Sequence, residues 1–294
     1  MNTLILKGRR QELRIGPSEP TRVIGERCNA LGYKAVKRAV EEGRMEEVVK
    51  RARLQVDAGA DAVNVNMVGT SIPEEVLLPR AVERIATEVD VPLSLDFGAP
   101  AALEAALKLL PGRALINSAN GEARKLDPIL ELAARYGAAV IVLACDENGI
   151  PPDATGRVRI VERMLNRAES FGLGAADLLA DAVCLGIGTD PSAAAVTFEA
   201  CRRMRRELGL NVVLGASNAA YGLPMRKYLN AAYLVLAVDS GMNVTLTDPT
   251  LPELRWAILG ADACTGRDEY CANFIRNYRQ CEPAPASQEV KANA

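Results

Sequence analysis

Short apolar runs alternate with helical patterns along almost the whole chain, and this repetition constrains the fold more than any other feature. Strand-like runs fall at residues 21–27, 62–66, 92–96, 114–117, 139–143, 178–181, 212–215 and 243–246. Between them, apolar residues recur at helical spacing over 34–57, 74–87, 101–110, 125–136, 158–171, 192–208, 225–240 and 252–278. Strands separated by helices of this length are joined in parallel βαβ units. Eight such units in roughly 250 residues predict an α/β protein of the (β/α)8 TIM-barrel class. An open doubly wound sheet is the alternative, and the barrel is favoured because repeat number and length both fit it. Residues 1–20 read as an arm or a first hairpin, 1–280 as a single barrel domain, and 281–294 as a disordered tail rich in Pro, Ala, Ser and Lys.

Several of these runs stop abruptly at amide or carboxylate side chains. Ile116-Asn117-Ser118-Ala119-Asn120-Gly121-Glu122 is the fullest case. Val63-Asn64-Val65-Asn66, Leu93-Ser94-Leu95-Asp96, Leu178-Leu179-Ala180-Asp181 and Leu214-Gly215-Ala216-Ser217-Asn218 repeat it. A single strand end of this kind can serve only to cap the next helix or brace a turn. In a TIM barrel, however, all C-terminal strand ends face one mouth, where active sites lie. Together these ends predict a neutral-to-acidic pocket of paired donors and acceptors. Carboxylates accept from an amino-pyrimidine and amides both donate and accept, so the pocket suits a planar polar heterocycle.

Composition removes other chemistries. The chain has 294 residues and no histidine, so imidazole catalysis and His-ligated metal are excluded. Its net charge of −2 carries no basic footprint for nucleic acid. No apolar run approaches the roughly 18 residues of a membrane span. The opening Asn2-Thr3-Leu4-Ile5-Leu6-Lys7-Gly8-Arg9-Arg10 lacks a signal-peptide layout, so the expected location is cytoplasmic. Seven cysteines without CxxC spacing read as free thiols. Cys145 has no histidine or resolving cysteine to activate it. Gly186-Ile187-Gly188-Thr189-Asp190-Pro191 lacks the Lys-Ser/Thr of a phosphate-binding loop. No protein-bound metal is expected.

The motifs resemble those of a known family. Val23-Ile24-Gly25-Glu26-Arg27-Cys28-Asn29 is similar to the first-strand signature of pterin-binding barrels. Asp57-Ala58-Gly59-Ala60-Asp61-Ala62-Val63-Asn64-Val65-Asn66 is similar to their second-strand motif. With the Asn-Gly-Glu segment, Ser217-Asn218, Gly222-Leu223-Pro224 and Cys271-x-x-Phe274, the chain resembles the methyltetrahydrofolate:corrinoid methyltransferases from about residue 21 to about residue 279. The resemblance implies methyl transfer between N5 of methyltetrahydrofolate and the cobalt of a corrinoid (cobalamin) carried on a partner protein, with tetrahydrofolate as the demethylated form. It implies that Asp96, Asn117 and Asp181 grip the pterin edge. Asn218 hydrogen-bonds at N5 in the transition state, and Asp181 belongs with it to a proton network. Asn66 and Asn120 line the same mouth. Glu26 joins the network or merely braces a loop, and Arg226 is placed for the folate tail or for docking a partner. A homodimer is expected from the resemblance alone. Asn64 stands where the motif usually has Asp, Gly69 comes one residue late, and Phe97-Gly98 replaces small hydroxylated residues. A dihydropteroate synthase-like condensing enzyme and a non-catalytic pterin or corrinoid scaffold remain the alternatives.

Overall fold

The computed structural model describes residues 2–281. An antiparallel hairpin comes first, β1 (Leu4–Lys7) and β2 (Glu12–Ile15), paired from Leu4↔Ile15 to Lys7↔Glu12. The strands that follow are β3 (Arg22–Asn29), β4 (Ala62–Asn66), β5 (Leu93–Asp96), β6 (Leu115–Ala119), β7 (Ala139–Leu143), β8 (Leu178–Asp181), β9 (Asn211–Leu214) and β10 (Val244–Thr247). They close in sequence order, all parallel, with β10 bonded to both β9 and β3. The expected barrel is therefore the observed one, and the open sheet is excluded.

Between the strands run α1 (Lys34–Glu41), α2 (Glu46–Asp57), α3 (Glu74–Glu88), α4 (Pro100–Leu107), α5 (Ala123–Tyr136), α6 (Ala154–Glu169), α7 (Ala193–Leu208), α8 (Arg226–Asp239), α9 (Pro252–Cys264) and α10 (Ala272–Cys281). The helical pattern over 34–57 is two helices rather than one. Gly43, at φ +74, takes a left-handed turn that a side chain would resist, and the chain restarts at Glu46. The last helical pattern likewise divides, with α10 starting after a break at Thr265–Cys271. α10 runs to Cys281, one residue into the expected tail, and 282–294 lie outside the described residues.

Two cores result from the alternation of side chains along each strand. Outward residues such as Val63, Val65, Leu93, Leu95, Ile116, Val140 and Val212 pack under the helices. Inward residues near the strand starts, including Ile24, Ala62, Leu115, Ile141, Leu179, Val213 and Val244, pack on Leu4, Leu6, Leu13 and Ile15 of the hairpin. The hairpin thus stoppers the N-terminal end of the barrel, and each of its buried apolar side chains contributes roughly 1.5–3 kcal/mol. With that end filled, the interior is open to ligands only at the C-terminal ends of the strands. Among the described residues, no helix is long and apolar enough to cross a membrane.

Candidate active site

The mouth is built by register. Asn66 pairs with Asp96 and Asp96 with Asn117, so three polar side chains stand at one level on β4, β5 and β6. Because side chains alternate, Asn64 faces inward two residues below Asn66. The Asn117 amide donates to Asn64 Oδ1 at 3.1 Å. Asn66 Oδ1 accepts the Val68 N–H at 2.9 Å. Burial pushes the Asp96 carboxyl up to about 6, against the pull of amides from Asn66 and Asn64 and of the Phe97 N–H, with Glu74 adding to the rise. Asn64, where a carboxylate is usual, therefore keeps a second negative charge away from Asp96 and supplies it with a donor. Below it, Ser94 is fully buried with its hydroxyl unpartnered.

Asp181 ends β8, with Leu143 of β7 paired beside it. Its Oδ1 accepts the Val183 N–H at 2.7 Å. Burial pushes its carboxyl up to about 6 as well, opposed by that N–H and by Arg157. Val183 sits at φ +63, where a β-branched residue is strained at a cost of about 1–3 kcal/mol. The turn is held by Arg157 of α6, only 1% exposed. Its Nη1 donates to the Ala182 and Val183 carbonyls and to Thr197 Oγ1, and its Nε to the Pro151 carbonyl, all at 2.9–3.0 Å. We expect Arg157→Met to lower unfolding free energy by about 3 kcal/mol or more, since it strands buried carbonyls and releases the strained turn. Urea titration of the two proteins measures this. Nothing in the sequence marks Arg157, because an arginine in a helix normally reads as solvated.

The other side of the mouth is formed by β3, β10 and the segment after β9. The register between β3 and β4 shifts between Gly25 and Cys28, and Gln55 Oε1 takes the Arg27 N–H at 2.7 Å. Glu26, partly buried there, accepts the Ser217 hydroxyl at 2.8 Å. Burial raises its carboxyl, Ser217 opposes the rise, Asp248 adds to it, and Arg27 and Arg226 oppose it. Arg27 is ion-paired with Asp248 and lies over the Tyr33 ring at 4.6 Å.

Asn218 closes a one-turn 3-10 helix, Ala216–Asn218, at the rim. It is exposed, and among the described residues none hydrogen-bonds its side chain. Arg226, at the start of α8, donates to the Ser217 carbonyl at 2.8 Å. A Cβ on Gly215 would lie 3.1 Å from Asn218 Nδ2, at a backbone φ of −77 that alanine accepts. Gly215→Ala is therefore expected to leave the melting temperature within about 2 °C while turning the Asn218 amide aside. Turnover should fall by about tenfold or more, as small misplacements do. Parallel melting and rate assays check the pair of outcomes.

Asn120 is tied to its own loop, accepting the Glu122 N–H at 3.2 Å and donating to Glu122 Oε1 at 3.4 Å. It also lines a cavity of about 390 Å3 beside the mouth, together with Phe97, Ser118, Arg124, Lys125 and Leu143. A second cavity, about 250 Å3, lies between the start of β3 and α9 and α10. Its polar groups bind one another there: Asp262 accepts from Thr21, Asp268 accepts the Asn273 and Phe274 N–H groups, and Arg255 donates to Asn277 Oδ1. That arrangement serves the fold. Among the described residues, no group of three or more His, Cys, Asp or Glu converges as a metal-ligand set.

A (β/α)8 barrel stoppered at one end, with carboxylates and amides ringed at the other, is the scaffold of an enzyme that seats a polar heterocycle. The family described as "Pterin binding enzyme" matches residues 25–248. The chain belongs to that family. It is 30% identical over 269 residues to the methylcorrinoid:tetrahydrofolate methyltransferase of Eubacterium limosum, covering 90% of this chain and 98% of that protein. It is also 30% identical over 236 residues to methionine synthase of Mycobacterium tuberculosis, covering 75% of this chain but 20% of that much longer protein. Among solved structures, dihydropteroate synthase of Yersinia pestis superposes with a TM-score of 0.65 at 20% identity, covering 90% of this chain and 99% of that one. The Xanthomonas albilineans dihydropteroate synthase with 4-aminobenzoic acid gives 0.67 at 21% identity, with the same coverage. At that identity the two structures speak for the fold.

Proposed function

We propose that this protein is a methyltransferase that moves a methyl group between N5 of methyltetrahydrofolate and the cobalt of a corrinoid held by a partner protein. One observation carries this reading: the 30% identity extends over 98% of the methylcorrinoid:tetrahydrofolate methyltransferase. The mouth supports it. Asp96 and Asp181 accept from the amino-pyrimidine edge, Asn117 pairs with the ring's carbonyl side, and Asn66 and Asn120 line the approach. The cavity bordered by Arg124 and Lys125 receives the substituent of the pterin.

The chemistry assigns the work of the rim. Co(I) attacks the N5 methyl in line, the Co–C bond forms as the C–N bond breaks, and the bonding pair stays on nitrogen. That nitrogen leaves well only if it gains a proton or a strong hydrogen bond as charge develops. A donor effective in the transition state accelerates the step by about 10²–10⁴. Asn218, exposed and without a side-chain partner among the described residues, is free to supply that donor. Water and Asp181 complete a route for the proton. In reverse, tetrahydrofolate N5 takes methyl from the corrinoid, and the same groups serve. The corrinoid is a substrate here, brought to the open mouth by its carrier.

A condensing enzyme of the dihydropteroate synthase kind needs cations for a departing pyrophosphate. Here β10 ends at Thr247 and is followed by Asp248-Pro249, and the nearby Arg27 is spent on Asp248. We read residues 1–280 as one catalytic domain working in the cytoplasm, whose reducing conditions suit the free cysteines. It works as a homodimer, for which the exposed Tyr228, Val235 and Leu236 of α8 offer an apolar stripe. The decisive assay mixes the protein with methyltetrahydrofolate and chemically reduced cobalamin and follows loss of the Co(I) absorbance. Formation of methylcobalamin is the expected result. Folate binding without methyl transfer would leave a scaffold, and turnover of pterin pyrophosphate with 4-aminobenzoate would leave a synthase.

A further inference from the structure

We infer that Glu26, acting through Ser217, is a positioning residue that sets the Asn218 amide, and that its carboxylate is not a ligand of the pterin. The inference rests on the methyl-transfer reading for what Asn218 does, but its geometry stands apart from it. Among the described residues none hydrogen-bonds the Asn218 side chain, so the placement of its amide is inherited from its backbone. That backbone is gripped at the preceding residue from two sides. The Ser217 hydroxyl donates to Glu26 Oε2 at 2.8 Å, from within β3. The Ser217 carbonyl accepts from Arg226 Nη2 at 2.8 Å, from the start of α8. Asn218 N–H in turn bonds the Gly215 carbonyl at 3.1 Å, and the Tyr221 N–H bonds the Asn218 carbonyl at the same distance. The Asn218 N–H and carbonyl are therefore both bonded, and Ser217 is held by its hydroxyl and its carbonyl, while the Asn218 amide has no partner among the described residues.

The charges around Glu26 point the same way. Arg27, its neighbour in sequence, is committed to Asp248 and stacked on Tyr33. Arg226 is committed to the Ser217 carbonyl. Ser217 is the one hydrogen-bond donor that Glu26 has among the described residues. A partly buried carboxyl group with a single donor places that donor through one short bond. It stands on β3, between β10 and β4, and its hydrogen bond is made to Ser217 on the β9 side rather than to Asn66, Asp96 or Asn117. Glu26 thus holds the rim, while the pterin grip begins on the neighbouring β4.

The test uses the full chain with methyltetrahydrofolate and reduced cobalamin, and measures kcat and the folate dissociation constant separately. Glu26→Ala and Ser217→Ala should each lower kcat by about tenfold or more, the scale of a misplaced catalytic group. Folate affinity should change by less than about threefold, since uniform binding is untouched. The double variant should be no slower than either single, because both cut one linkage. Glu26→Gln, whose amide oxygen still accepts from Ser217, should recover kcat to within about threefold of the parent. Loss of folate affinity in step with kcat, failure of Gln to recover the rate, or no effect of either Ala variant overturns the inference. Ser217→Ala removes only a hydroxyl, so it reports even if Glu26→Ala folds poorly. If the parent protein transfers no methyl, the methyl-transfer reading fails instead. The crystal structure of Ser217→Ala then decides this inference alone: a displaced Asn218 turn supports it and an unmoved turn sinks it.

Discussion

Asn218→Ala should slow methyl transfer from methyltetrahydrofolate to reduced cobalamin by about 10²–10³-fold, the usual cost of deleting one preorganised donor to developing charge. The ground state should hardly notice. The side chain is exposed and makes no hydrogen bond among the described residues, so its removal opens no cavity and strands no buried group there. The melting temperature should stay within about 2 °C of the parent, and folate affinity within about threefold. A fall in kcat at unchanged affinity is the signature of an interaction made only in the transition state. If the variant binds folate normally and transfers methyl at the parent rate, the donor is another group and the assignment of Asn218 is wrong.

Asp96→Asn should show the opposite pairing, a more stable protein that no longer binds. Burial lifts the Asp96 carboxyl from 3.8 to about 6. A raised carboxyl means that the native state holds its proton at pH values where the unfolded chain has lost it. Stability therefore falls as pH rises through the window from about 4 to about 6, and at pH 7 the ionised group costs about 1–3 kcal/mol. Asparagine removes that cost at pH 7 and little of it at pH 4, where the carboxyl is already protonated. Melting curves at the two pH values should show the gain only at pH 7. Folate affinity should drop by about 10²-fold, because charge-assisted bonds to the amino-pyrimidine edge are lost. For the parent protein, ligand and proton compete for the same carboxylates, so affinity should weaken as pH falls from 7 through about 6. Undiminished folate binding by Asp96→Asn would remove Asp96 from the pterin grip.

These two carboxylates illustrate how a site is kept poised at the expense of stability. Asp96 and Asp181 are both pushed up to about 6 by burial; neutral donors oppose the rise at Asp96, and the Val183 N–H with the charge of the nearby Arg157 opposes it at Asp181. An arginine ion-paired with either one would hold it ionised more firmly, but it would also compete with the substrate's donors. The Asn64 that departs from the usual motif fits this balance. It gives Asp96 a donor and Asn117 an acceptor without adding charge.

The motif residues were legible because they sit at strand ends, and strand ends can be read from apolar runs of fixed length. The segment 34–57 reads as one helix because its apolar spacing continues past Gly43, and spacing alone does not report the left-handed turn found there. Arg157 was invisible for a different reason. Its helix position looks solvated, and only the closed barrel shows that the carbonyls of Pro151, Ala182 and Val183 converge on it. Ser217 was noticed only as the neighbour of Asn218, since the partner that gives it meaning is Glu26, 191 residues earlier.

By itself, the sequence determined the eight-fold alternation, the closed parallel barrel it implies, and the polar strand ends that belong to a pterin-binding family. The alternation and the strand ends follow from local periodicity, which repeats within a few residues and survives without knowledge of partners; the family follows from the resemblance of the motifs at those ends. What only the tertiary structure decided is which of those polar groups are spent on the protein and which are left for a ligand. Asn120 is tied to Glu122, Arg226 to Ser217, and Glu26 to the Ser217 hydroxyl, while Asn218 is left free. Hydrogen bonds join whatever atoms the closed barrel brings within about 3 Å, and that distance is set across strands far apart in the chain.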